Sequence, residues 1–134
     1  MKAKTMRRVY LREAAFMLVL ARLAVRIVSP ARLFAWADRP PRRRRRFAAE
    51  EARWVGWAIE RLAAGDAMNV EGLPRALAAH AMLRRRGLAS RLCLGVARDG
   101  GEVSAQAWIE LGGDTVVGGA EGFTRLAAFG GADR

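Results

Sequence analysis

Gly72-Leu73-Pro74-Arg75-Ala76-Leu77, closing at Arg84-Arg85-Arg86-Gly87, and the later stretch Gln106-Ala107-Trp108-Ile109-Glu110 decide the fold of this 134-residue chain. The first stretch predicts a helix from about Gly72 to Arg86. Pro74 falls in its first turn, where a missing N–H costs little, and Gly87 stands where a left-handed C-cap belongs. Leu73, Leu77, His80 or Ala81, and Leu83 or Arg84 mark its inner and boundary positions. Beyond Gly87 the hydrophobic period falls from near four to two. Leu92, Leu94 and Val96 alternate with Arg91, Cys93 and Ala97, and Val103, Ala105, Ala107 and Ile109 alternate with Ser104, Gln106, Trp108 and Glu110. Asp99-Gly100-Gly101 reads as the hairpin turn between them. Gly112-Gly113 makes a second turn before a short strand, Asp114-Thr115-Val116-Val117, and the tail Phe123 to Phe129 is apolar enough to pack back on the sheet.

Upstream the pattern is helical. Phe47 to Ala64 places Glu50 and Glu51 near a positive helix N-terminus and Trp54, Val55, Ala58, Ile59 and Leu62 along an apolar stripe, ending at Gly65-Asp66. From Arg7 to Val28, Leu11, Ala14, Ala15, Leu18, Ala21 and Val25 recur at three- and four-residue spacing among Arg8, Arg12, Arg22 and Arg26, and Ser29-Pro30 stops the run. Such a helix either packs on the domain behind it or lies, as a cationic amphipathic element, on a membrane or a partner. Helices first and a meander second define an α+β fold, with N-terminal helices packed on a small antiparallel sheet. Residues 1–46 read as an amphipathic helix and basic linker, and residues 47–134 as the main domain.

Composition narrows the classes. A 52% hydrophobic chain of this length suits one ordinary core, and its formal net charge of +11 attracts polyanions and acidic surfaces. Pro40-Pro41-Arg42-Arg43-Arg44-Arg45-Arg46 is a stiff, then self-repelling, connector. Its guanidinium forks suit phosphates, but no aromatic residue interleaves with them as single-strand nucleic-acid grooves require. A single Cys rules out an intrachain disulfide framework and, with a single His, leaves too few soft ligands for structural zinc, so no metal or cofactor is expected. That cysteine usage points to a reducing, cytoplasmic setting. The apolar run Ala14 to Ala21 meets Arg22 and Arg26, too soon for the roughly 20 apolar residues of a spanning helix.

Four blocks in this order carry a family resemblance: Gly72 to Ala78, Leu83 to Leu88, Leu94 to Gly101, and Ala105 to Glu110. Together they resemble the transglutaminase-like B2-type proteins of lasso-peptide biosynthesis, relatives of the microcin-processing proteins, over roughly residues 50 to 129. The resemblance implies a papain/transglutaminase-like domain and a cysteine peptidase that cuts the leader from a ribosomally made precursor (RiPP maturation). It also implies three partners: the precursor's leader peptide, a leader-binding (B1-type) protein and an ATP-dependent lasso cyclase. In that scaffold a Cys opens the helix, where the N-terminus favours a thiolate, and a His on the strand takes its proton. Here those places hold Gly72 and Gln106, while Leu73, Arg75, Leu77, Ala107, Trp108 and Glu110 keep the pattern.

Glycine offers no nucleophile and an amide is no base near neutral pH, so the ordinary acyl-enzyme route is closed. The family's third residue is an acid that orients the His. Asp114 is the nearest acid after the Gln106 strand, although the aligned place falls nearer Gly118, and Asp beside Gly-Gly is ordinary turn chemistry. Cys93 between two leucines and His80, some 12 Å down the helix at about 1.5 Å per residue, read as packing residues rather than a relocated pair. Arg75 either holds an acidic group of a peptide or forms a surface ion pair, and Trp108 either walls a peptide groove or packs.

Three functional expectations follow. One is a catalytically silent maturation protein that grips a leader or a partner. Another is an active leader peptidase with a displaced triad. The third, from a different class, is a cationic module that uses Arg42 to Arg46 on nucleic acid or an anionic surface.

Overall fold

The computed structural model describes residues 3–43, 48–63, 72–119 and 121–131. Four helices precede four strands: α1 (Ala3–Ile27), α2 (Pro30–Asp38), α3 (Ala49–Ala63), α4 (Leu73–Arg85), β1 (Arg91–Asp99), β2 (Glu102–Leu111), β3 (Asp114–Val117) and β4 (Thr124–Gly130). The architecture is α+β, with α2, α3 and α4 against one antiparallel sheet and α1 outside them. Phe47, Gly65-Asp66 and Arg44 to Arg46 lie outside the described residues.

Ser29-Pro30 stops α1 as expected, and it also starts α2, which the sequence pattern left unassigned. Ser29 takes an extended conformation and its hydroxyl accepts from the Arg32 N–H at 3.4 Å, while Pro30 supplies the first helical residue. The end of α4 is a Schellman closure. Gly87 adopts φ of 79°, its N–H reaches the Arg84 carbonyl, the Leu88 N–H reaches the Leu83 carbonyl, and the two buried leucines meet beneath the turn.

Two-residue loops at Gly100-Gly101 and Gly112-Gly113 join β1 to β2 and β2 to β3, with Asp99 opposite Glu102 and Leu111 opposite Asp114. The tail does more than pack back. It forms β4, antiparallel to β1, so the strand order is β3-β2-β1-β4 and β1 becomes a central strand. No alternation of apolar and polar residues marks this strand, because every residue of β4 is exposed or half-exposed.

Leu92, Ala107, Ile109, Leu111 and Val117 carry the inner face of the sheet, and Val55, Ile59, Leu77, Met82 and Leu83 of α3 and α4 cover it. Burying each such side chain contributes about 1.5–3 kcal/mol. α1 closes the outside by laying Tyr10, Ala14, Leu18 and Ala21 against α3 and α4. Tyr10 stacks on Trp54 at 5.7 Å, and Glu13 of α1 pairs with Arg85 and Arg86 at the end of α4. No described helix is long and apolar enough to cross a membrane.

Candidate functional site

The N-terminus of α4 abuts the middle of β2, and this brings the two vacated positions face to face. Gly72 is the N-cap of α4 with φ of 82°, and no side chain caps the helix. A Cβ built on Gly72 would stand 3.7 Å from Gln106 Oε1, 3.6 Å from Arg75 Nη2 and only 2.8 Å from the Ala107 carbonyl oxygen. Left-handed backbone and that carbonyl both select glycine, since any other side chain would be strained and crowded there.

Gln106 is 9% exposed, and its two amide atoms differ in satisfaction. Nε2 donates to the Gly119 carbonyl at 3.2 Å, whereas Oε1 is buried with no donor. It is the one such side-chain atom among the described residues. A buried acceptor left without a donor costs about 1–3 kcal/mol, and native folds rarely retain one without a use. The positive end of the α4 dipole lies at the same corner, where Gly72 offers the Leu73 and Arg75 N–H groups no side-chain cap and Pro74 has no N–H to cap.

Glu60 of α3, which nothing in the sequence pattern singled out, ties this corner together. One carboxylate oxygen accepts from Arg75 Nη1 at 2.9 Å, and the other accepts from the Gly118 N–H at 2.8 Å. Arg75 therefore already holds an ion pair, with its second guanidinium nitrogen turned towards Gly72. Gly118, near which the family's acid was expected, contributes its backbone N–H to Glu60. The acid found beside it comes instead from another helix, a juxtaposition that spacing along one strand does not report.

Asp114 is not brought to this corner. It is exposed at the far end of the β2–β3 hairpin, opposite Leu111, five residues along β2 from Gln106 and thus roughly 17 Å away at about 3.4 Å per residue. Trp108 is 2% exposed and lies across Gly95 on the strand beside it, where a Cβ would sit 2.7 Å from the indole. Its Nε1 donates to Glu110 at 2.9 Å, so the indole is locked in packing on the sheet rather than open to a groove.

The single imidazole and the single thiol are each engaged elsewhere. His80 is 2% exposed and lies between α2, α4 and the start of β1. The Ala37 carbonyl can only accept, so Nε2 carries the proton at 2.8 Å, and Nδ1 accepts from the Ser90 hydroxyl at 2.8 Å. Burial above all pushes its pKa down to about 4, against the pull of the Ala37 hydrogen bond and with help from Arg84. Cys93 is buried on the strand opposite Trp108, 4.0 Å from Arg125 Nη1, and burial pushes its thiol up, away from the reactive range.

A helix N-terminus set against a central strand of an antiparallel sheet defines an α+β domain of the transglutaminase-like kind. The sequence model of the transglutaminase-like superfamily matches residues 15–128, and the chain belongs to that superfamily. The matched span takes in most of α1, all of α2 and the linker as well as the later elements. No curated protein and no solved structure matches the chain significantly.

Proposed function

We infer that this protein is a non-cleaving relative of the lasso-peptide leader peptidases, one that holds a precursor leader or a partner segment at the Gly72–Gln106 junction. The observation that carries this reading is the orphaned, buried Gln106 Oε1, aimed at a helix N-terminus where the nucleophile would stand. A peptide amide answers both needs at once: its N–H supplies the donor that Oε1 lacks, and its C=O takes the uncapped N–H groups of α4. Cleavage has no support from this corner. With nucleophile and base both gone, positioning and dipoles alone give only roughly 10³–10⁴-fold over water.

Calorimetric titration with a lasso precursor peptide tests this, alone and with the leader-binding protein and the ATP-dependent cyclase present. Binding to the wild type and a Kd about tenfold weaker for Gln106→Leu, the equivalent of about 1.4 kcal/mol, would support the reading. Equal affinity for the two proteins, or binding that follows the arginine run and any polyanion alike, would point to the cationic module instead.

A further inference from the structure

On the opposite side of α4, away from Gly72, α1, α2 and the last turns of α4 enclose a groove of about 1260 Å³. Its floor is apolar: Met17, Leu20, Ala24 and Val28 of α1 and its end, Leu33 of α2 and Ala81 of α4. Its rim is cationic, formed by Arg32, Arg42, Arg43, Arg84 and Arg85, and no carboxylate among the described residues lines it. Glu13, the nearest acid on α1, is 13% exposed and already committed to Arg85 and Arg86. Arg32, Arg42 and Arg43 make no ion pair among the described residues. Leu20 also belongs to a second apolar stripe on the outer face of α1, with Phe16, Leu23 and Ile27, which are 60%, 52% and 79% exposed. Their spacing of three and four residues is that of a helix seam.

We propose that this groove docks an acidic amphipathic helix of a partner protein, its apolar face on the floor and its carboxylates against the arginine rim. From Met17 to Val28 the floor runs about 16 Å at 1.5 Å per residue, three turns of a guest helix. A second copy of this chain does not suit the groove, because it would bring a molecule of net charge +11 against the arginine rim. A flat bilayer reaches the outer stripe but leaves the recessed floor empty. The proposal stands apart from the Gly72–Gln106 reading, which lies at the other end of α4.

The test uses the full chain and two fluorescein-labelled 18-residue helical peptides, one of leucine and glutamate and one of leucine and lysine, read by anisotropy. The Leu/Glu peptide should bind, its Kd should rise at least tenfold in the triple variant Arg32→Glu, Arg42→Glu, Arg43→Glu, and Ala81→Trp should block it by filling the floor. Gln106→Leu should leave this binding unchanged, which separates a failure here from a failure at the Gly72 corner. The triple variant should keep the wild-type melting temperature, because its three side chains are exposed and unpaired. Equal binding of the Leu/Lys peptide, Leu/Glu binding that neither variant weakens, self-association blocked by Ala81→Trp, or binding only to phosphatidylcholine–phosphatidylglycerol vesicles would overturn the proposal.

Discussion

α4 meets a buried polar side chain near its start and carries another in its middle, and the two are treated differently. His80 has both ring nitrogens engaged, by Ala37 and by Ser90, and is sealed under Trp36, whose ring meets it edge-on at 5.5 Å. Gln106, near the N-terminal end, is also buried but leaves Oε1 without a donor. A polar group kept for architecture is fully paired, because an unpaired one taxes stability. One that is left unpaired carries a cost that either a donor or removal of the acceptor relieves. The contrast is between a buried polar side chain with every ring nitrogen paired and one whose amide oxygen is left without a donor.

Substitution should expose the difference. His80→Leu strips two partners at once and strands the Ala37 carbonyl and the Ser90 hydroxyl, so it should cost about 3 kcal/mol in urea unfolding. A loss below about 1 kcal/mol would mean that His80 is not the clamp described. Acid should reach the same clamp. The folded pKa near 4 lies below the unfolded value of 6.5, so the unfolded state binds the extra proton and stability falls as pH drops through 6.5 towards 4. From pH 7.5 to 5 the wild type should lose about 2 kcal/mol that a stable His80 variant such as His80→Gln does not lose.

At the other end, Gly72→Ala should cost about 1–3 kcal/mol through its left-handed backbone and the Ala107 carbonyl. Thermal melting checks it, and an unchanged melting temperature would show that the α4 N-terminus relaxes freely. The same strain weighs on Gly72→Cys, so restoring a Cys there together with Gln106→His should yield a destabilised protein rather than a working peptidase. Gln106→Leu should change stability by less than about 1 kcal/mol, since losing the Gly119 bond is offset by removing a stranded acceptor. A large loss would move Gln106 into the same class as His80. The smallest effect belongs to Glu60→Gln. The amide oxygen can still accept from the Gly118 N–H, and the lost ion pair with Arg75 is partly exposed, so less than about 1 kcal/mol should be lost.

How far the sequence carried this varies with the physics of each element. The period changes near Gly87 and the Gly-Gly turns made α4, β1, β2 and β3 readable, because one face of each is buried and the caps have fixed chemistry. α2 escaped because nine residues are too few for a period, although Ser29-Pro30 carried its capping signal. β4 was read only as an apolar tail, since none of its residues is fully buried and no alternation of buried and exposed positions marks it. In the site, Gly72 and Gln106 were legible from the residues kept around them, and they do meet in space. Glu60 was not, because its partners, Arg75 and Gly118, lie 15 and 58 residues away and no local pattern encodes them. Asp114 was reachable by order along the chain but not by distance, since the hairpin carries it away from Gln106.

The central claim is that the Gly72–Gln106 corner holds a peptide without cutting it. Mass spectrometry of a lasso precursor incubated with this protein, the leader-binding protein and the ATP-dependent cyclase tests it most directly. The account predicts intact precursor at the level of a control lacking this protein, unchanged by Cys93→Ala. Leader release above that control, abolished by Cys93→Ala, would contradict it.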